Sequence, residues 1–312
     1  MNTITAPIRI GTRDSKLALW QAEKVQSLLL EQGLESVIVP TKSEGDLDLV
    51  TPLYAMGVQG VFTKTLDAYL LSDKIDIAVH SMKDVPIQLP EGIIEAAVLE
   101  RASHKDIYVP KETIPFDFKL ADSMPFTIAT GSVRRRAQWL NKYPKHKIAD
   151  LRGNLQTRFQ KLKENNWNGA IFAAAGLDRL NMRPEVAFEI DWMLPAPAQG
   201  AIMVVCQAQN QAIFEACQKI NHPNTAIEVK VERDFLAALM GGCSTPISAL
   251  AIIEHDKIKF EGNVVTPDGS QKFEIKHHFY IDEASSAGAF AAKRILELGA
   301  SSILELIRNH KK

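Results

Sequence analysis

Short unbroken apolar runs alternate with stretches of helical apolar spacing along most of the chain. Ile8-Arg9-Ile10-Gly11 reads as a buried strand. Thr12-Arg13-Asp14-Ser15 is a turn rich in N-cap residues, and Leu17 to Leu30 then carries the spacing of an amphipathic helix. Val37–Val39 is a second strand and Phe62–Leu71 a helix. Ile75–Val79 is a third strand, β-branched and unbroken as a strand covered on both faces should be. Ala96–Leu99 is a fourth. Beyond the polar link Glu100–Lys105 the alternation resumes, with strands at Thr127–Ala129, Ile148–Leu151 and Ala170–Ala174. Helices open at Val133, Thr157 and Leu177. Pro195-Ala196-Pro197-Ala198-Gln199-Gly200 is a stiff linker before a strand, Ala201–Cys206, and a helix, Ala212–Ile220.

After Asn221-His222-Pro223 the pattern changes. A helix over Thr225–Met240 leads to strands at Ile247–Ile253, Lys257–Gly262 and Lys272–Phe279, then to closing helices at Ala284–Leu296 and Ser302–Ile307. This predicts an α/β protein: two hinged, doubly wound αβ lobes like those of periplasmic binding proteins, plus a small α+β C-terminal domain. The expected division is 1–99 with 200–220, 105–193, and 222–312. Glu100–Lys105 and Leu194–Gln199 would then be paired crossings, the architecture of a hinged cleft. The polar loop Thr41–Gly60 is long enough to be functional or disordered.

Composition narrows the classes. With 312 residues, 46% hydrophobic and 23% charged, the chain is ordinary globular protein of two or three domains. A net charge of −1 argues against a generally basic nucleic-acid binder. No apolar run reaches the ~18 residues of a membrane span, and Met1–Pro7 lacks signal-peptide features. Three cysteines do not make a disulfide framework; Cys206 and Cys217 sit in apolar or helical runs and read as buried. The expectation is a cytoplasmic protein with reduced thiols. There is no repeat, P-loop, GxGxxG or zinc-type Cys/His spacing.

Candidate chemistry gathers at strand ends. Arg13 and Ser15 stand where a helix N-terminus suits an anion, although Ser15 also reads as a plain cap. His80-Ser81-Met82-Lys83-Asp84-Val85-Pro86 follows a strand at the sheet end where such folds collect ligands; the alternative is a solvated connection with an incidental Lys83–Asp84 pair. Between Thr127 and Arg158 there are eight Lys/Arg against one acid, Asp150. A solvated basic face would explain the run, but arginine at helix N-termini opposes the dipole and calls for an offsetting anion. Guanidinium matches carboxylate or phosphate bidentately, and the arginines are interleaved with too few aromatics for a stacking nucleic-acid groove. In Met240-Gly-Gly-Cys-Ser-Thr-Pro246 the glycines and Pro246 put Cys243 on a loop. It is either a small residue in a tight corner or a thiol open to alkylation.

Eight stretches, in order and over nearly the whole chain, resemble the porphobilinogen deaminase (hydroxymethylbilane synthase) family. They are Arg13-x-Ser15-x-Leu17-Ala18, Ala78–Pro86, Ser132-Val133-Arg134-Arg135, Leu151-Arg152-Gly153-Asn154, Thr157-Arg158, Ala175-Gly176-Leu177, Gln199-Gly200-Ala201 and Gly242-Cys243. The resemblance implies a transferase of heme and other tetrapyrrole biosynthesis that deaminates four porphobilinogen molecules and joins them to a covalent dipyrromethane. Cys243 would carry that cofactor as a thioether and Asp84 would be the catalytic carboxylate. Arg13, Ser15, Lys83, Ser132, Arg134, Arg135, Arg152 and Arg158 would bind the cofactor. Arg13, Arg152 and Arg158, with Arg179 and Gln199, would bind substrate and the growing chain. No metal, membrane or nucleic-acid partner is expected, and nothing in the sequence demands more than a monomer. Departures are Gln59 where the family has a basic residue, Lys16 where proline is common, and Pro197-Ala198 where glycine often appears. The other reading of two such lobes is a non-enzymatic solute-binding module, which needs no loop cysteine.

Overall fold

A computed structural model describes residues 6–42, 63–111, 124–241 and 245–309. Cys243, Gln59 and most of the Thr41–Gly60 loop lie outside the described residues. In chain order the elements are β1 (Ile8–Arg13), α1 (Lys16–Glu31), β2 (Ser36–Thr41), α2 (Lys64–Leu71), β3 (Ile77–Ser81), a 3-10 turn (Met82–Asp84) and β4 (Ile93–Val98). There follow β5 (Asp106–Pro110), β6 (Thr127–Ala129), α3 (Val133–Lys142), β7 (Lys147–Ala149), α4 (Leu155–Glu164), β8 (Gly169–Ala173), α5 (Ala174–Arg179) and β9 (Phe188–Glu189). The chain ends with β10 (Ile202–Gln207), α6 (Gln211–Gln218), α7 (Pro223–Ala238), β11 (Ile247–Glu254), β12 (Lys257–Val265), β13 (Lys272–Tyr280), α8 (Ala284–Ile295) and α9 (Ser301–Asn309).

Two compact units divide these elements. Described residues up to Ala102, with Gly200–Ile227, form the first; Ser103–Gln199 and the described residues from Glu228 onward form the second. The sheet of the first unit runs β2-β1-β3-β10-β4 among the described residues, and β1 is parallel to β2 and β3. Strand β10, arriving from the second crossing, inserts antiparallel between β3 and β4. Its register pairs Met203 with His80 and Ile202 with Ser81. That long-range pairing extends β3 past Val79, where the apolar run stops, so His80 and Ser81 belong to the strand. Ile8, Ile10, Ala22, Val25, Leu29, Ile77, Val79 and Val204 form the core between α1 and the sheet. Gly11 permits close packing, since a Cβ there would stand 2.2 Å from Ile75 Cδ1.

In the second unit the described sheet runs β7-β6-β8-β5-β9, with β5 antiparallel to β8. Strands β5 and β9 are not among the predicted elements. Strand β9 has only two residues, and both strands pair with partners distant in sequence. Trp139, fully buried, stacks on Tyr108 and donates Nε1–H to His146 Nδ1 at 3.0 Å. The three antiparallel strands β11–β13 and their helices give the expected α+β C-terminal part. Its sheet is bonded directly to α3: Gln138 Nε2 donates to Ser248 Oγ at 3.0 Å, and Asn263 Nδ2 to Gln138 Oε1 at 3.3 Å. Cys206 and Cys217 are buried, and burial raises their thiols to about 11 and about 12.

Candidate functional site

In the first unit, the carboxyl ends of β1 and β3 meet the N-terminus of α1. Ser15 caps that helix by accepting from the Ala18 N–H at 3.4 Å, and Thr12 Oγ1 donates to Ala18 O at 3.0 Å. Buried Gln21 reaches across to Ser81, donating Nε2–H to its Oγ at 2.8 Å. The Val85 N–H closes the 3-10 turn on Met82 O, and the Met82 N–H bonds Ala201 O, pinning the turn to the entry of β10. These contacts shape a pocket of about 80 Å³ lined by Arg13, Ser15, Gln21, His80, Ser81 and Asp84 among others. The fold therefore brings Arg13, Ser15 and Asp84 to one place, with Lys83 half-buried on the same turn as Asp84. Burial first, and the charge of Arg13 second, push the His80 imidazole down to about 4, so it is neutral at pH 7.

In the second unit the arginine run divides. Ser132 caps α3 by accepting from the Arg135 N–H at 3.4 Å. Arg134 and Arg135 turn inward onto one carboxylate, Asp106 at the start of β5, which is completely buried. Arg135 donates Nε–H and Nη2–H to Asp106 Oδ1 at 3.0 and 2.8 Å, and Nη1–H to Ile171 O at 3.1 Å. Arg134 Nη2 lies 2.7 Å from Asp106 Oδ2, and its Nη1–H donates to Leu194 O at 2.6 Å. Gln199 turns to the same carboxylate, donating Nε2–H to Oδ1 at 2.9 Å and to His104 O at 2.8 Å. Burial alone would raise the Asp106 carboxyl; the guanidiniums of Arg134 and Arg135 and the Gln199 amide instead hold it at about 2. Burial lowers Arg134 from its ordinary value, with Asp106 opposing.

Arg136, next in the run, is exposed. Arg152 follows β7 in a loop that touches the α3 cap: a Cβ on Gly131 would stand 2.5 Å from Leu151 O. Arg152 is half-buried, and its Nη1 is buried without a hydrogen-bond partner among the described residues. Arg158 curls back on its own helix start, donating Nε–H to Gly153 O at 2.8 Å, below the Asn154 cap on Thr157. Arg179 closes α5, and burial pushes its guanidinium down to about 10.

Two guanidiniums against one carboxylate leave a net positive charge in a dry cluster, and the stem of Arg152 approaches Gly131 beside the α3 cap. Guanidinium groups of this kind can take planar anions bidentately. Sequence reasoning missed Asp106, although an acid opening the run Ile107-Tyr108-Val109 is a visible oddity. It also missed Glu232, fully buried on α7, which accepts from the Ala198 N–H at 2.6 Å and the Ala251 N–H at 2.8 Å.

Residues 8–215 match the family profile described as porphobilinogen deaminase, dipyromethane cofactor binding domain, and residues 226–297 match the porphobilinogen deaminase C-terminal domain. A porphobilinogen deaminase of Desulfitobacterium hafniense is 41% identical over 305 residues, covering 96% of this chain and 97% of that one. One of Pelotomaculum thermopropionicum is 39% identical over 311 residues, covering 98% of each. Among solved structures, an ancestral cationic amino acid solute binding protein aligns over 69% of this chain and 88% of its own at 15% identity. Its TM-score is 0.42, a likeness too slight to argue from. With both profiles in tandem and relatives matched end to end, the chain belongs to the porphobilinogen deaminase family.

Proposed function

We propose that this protein is a hydroxymethylbilane synthase. It joins four molecules of porphobilinogen head-to-tail on a dipyrromethane held by a thioether to Cys243, with loss of one ammonia per unit. Water then frees hydroxymethylbilane for tetrapyrrole synthesis. The observation that carries this reading is the charge imbalance of the buried cluster: two guanidiniums share one carboxylate, and Arg152 keeps a buried Nη1 with no partner among the described residues. A group bearing several carboxylates fits that set, because each would complete a charge-assisted pair.

Arg134 and Arg152, with Ser132 and Arg158 at the two helix starts, would hold the carboxylates of the dipyrromethane; Arg135 and Gln199 would hold Asp106 and so the orientation of Arg134. Arg13, Ser15 and Lys83 would bind carboxylates from the first unit, and Arg179 would add a further cation. When bound, the dipyrromethane supplies the pyrrole carbon to which units are added. Asp84 would oppose the positive charge left on a substrate ring as ammonia departs, and would accept from pyrrole N–H groups. Cys243 lies outside the described residues. Its flanks are anchored, with the Gly241 N–H on Leu236 O at 2.9 Å and β11 starting at Ile247. We place the protein in the cytoplasm as a monomer, since its near-neutral charge and reduced, buried Cys206 and Cys217 suit that compartment.

Mass measurement of the denatured protein tests the reading. The chain should be heavier than its sequence by two pyrrole units, give the acid aldehyde colour of pyrroles, and release ammonia from porphobilinogen. Cys243→Ala should lose the adduct and the activity. An unmodified chain that binds porphobilinogen without turning it over would make the protein a solute-binding module instead.

A further inference from the structure

His80 is the one buried titratable group of the first unit's pocket to which the proposed function gives no task. It stands at the end of β3, 7% exposed, and borders the pocket together with Arg13, Ser15 and Asp84. Its neighbours on either side are paired: Ser81 and Gln21 bond each other. The imidazole itself makes no hydrogen bond to any described residue. Its ring nitrogens are not among the fully enclosed polar atoms that lack a partner, so they stay open towards the pocket, where a ligand can complete them. The polar groups that line the pocket with it are the Arg13 guanidinium from β1, Asp84 on the 3-10 turn, and the uncharged Ser15, Gln21, Thr63 and Ser81.

Resting on the proposed function, we infer that His80 is a substrate-binding residue whose imidazole accepts a hydrogen bond from the aminomethyl group of porphobilinogen while that group is an ammonium. The chemistry asks for such an acceptor. The amine leaves as ammonia only if it is protonated when the C–N bond breaks: the bonding pair goes to nitrogen, and the positive charge stays on the pyrrole methylene. A strong base beside the nitrogen would take its proton and disable the leaving group. An imidazole that burial and Arg13 keep at about 4 accepts the hydrogen bond without taking the proton from an alkylammonium, whose pKa lies near the ordinary lysine value of about 10. Arg13 would be neutralised by a carboxylate of the same substrate ring, and Asp84 would face the charge that moves from nitrogen to ring.

The test uses primer-loaded wild type, His80→Gln and His80→Leu, with loading checked by denatured mass. KM or Ki is measured for porphobilinogen and for its analogue carrying hydroxymethyl in place of aminomethyl. His80→Gln keeps a neutral acceptor and should stay near wild type. His80→Leu should weaken porphobilinogen by about tenfold or more, the weight of a hydrogen bond to a charged group, and the hydroxymethyl analogue much less. If His80→Leu does not load primer, His80→Asn, whose acceptor sits nearer the backbone, carries the same comparison and should behave as leucine is expected to. Unchanged KM in these variants overturns the inference, as does an equal loss for both ligands, which would mark a structural or carboxylate-binding role. Loaded wild type that releases no ammonia would overturn the proposed function itself, an outcome separate from either.

Discussion

Replacing Asp106 by asparagine keeps the shape of a fully buried side chain and deletes its charge. The carboxylate takes two hydrogen bonds from Arg135, an ion pair from Arg134 and one bond from Gln199, all within 3.0 Å. An asparagine oxygen can still accept from Arg135 and Gln199. Its amide nitrogen would then face Arg134 Nη2, donor against donor, and two like-charged guanidiniums would remain buried. Removing one partner of a buried ion pair costs roughly 3–5 kcal/mol because the other is stranded. The pH linkage has a definite sign. The folded carboxyl is held at about 2, below its ordinary 3.8, so its contribution is complete above about pH 4 and is lost as pH falls through about 2. At ~1.36 kcal/mol per pH unit, that part is about 2–3 kcal/mol. It is smaller than the mutational loss because acid leaves the wild-type guanidiniums the same neutral neighbour but no clashing amide. At 2–4 °C per kcal/mol for a cooperative unit of 150–250 residues, Asp106→Asn should lower the melting temperature by about 6–20 °C at pH 7.5. The stability loss between pH 4 and pH 2 should also be shallower than in wild type. Thermal unfolding followed by far-ultraviolet circular dichroism across that range decides it. A variant melting within about 2 °C of wild type would show that Arg134 and Arg135 do not depend on Asp106.

Arg152→Ala should barely change the melting temperature, since Arg152 has no hydrogen-bond partner among the described residues, yet should reduce the adduct seen by denatured mass. Arg135→Ala should do the reverse in emphasis, losing ~1.5–3 kcal/mol of stability as Asp106 gives up two charge-assisted hydrogen bonds while keeping Arg134 and Gln199, and lysine at 135 should restore only part of it. Asp84→Asn should slow single-turnover ammonia release by ~10²-fold or more, and Asp84→Glu less, with the adduct present in Asp84→Glu; equal rates for Asn and wild type would remove Asp84 from the mechanism. Ala198 has φ 62°, a left-handed backbone that glycine adopts freely. Ala198→Gly should therefore be neutral or stabilise by up to ~1 kcal/mol in a urea titration. Glu232→Gln, which weakens the carboxylate hold on the Ala198 and Ala251 N–H groups, should destabilise by ~1–3 kcal/mol in the same assay.

The alternation of elements was legible because its causes are local. Strands covered on both faces spell themselves as apolar runs, as β3 and β10 do. Helix starts spell themselves as caps: Ser15 accepts the expected N–H, and Ser132 and Asn154 accept likewise at the starts of α3 and α4. The expectation of an anionic ligand also rests on sequence alone, since eight basic residues against one acid on a neutral chain is a property of composition. Strands β5 and β9 were not legible. Strand β9 has only two residues, and β5 offers the apolar run Ile107-Tyr108-Val109 between an acid and a proline; both are completed by partners supplied from far along the chain.

The fates of single residues belonged to the tertiary structure. Arg134, Arg135 and Arg136 are equivalent by composition, but the turn of α3 sends the first two inward and leaves the third exposed. Whether an inward arginine holds a ligand or holds the fold then depends on which carboxylate meets it, and Asp106 is 29 residues from Arg135. His80 likewise reads as an ordinary histidine until β10 pairs alongside it and the fold sets Arg13 at the same pocket, when lost hydration and that cation lower its pKa. Sequence thus pointed to most of the elements and to an anionic ligand, because propensity and composition act at short range. Burial and charge pairing act across space, so only the folded chain decided which of the charged and titratable side chains stay open to that ligand.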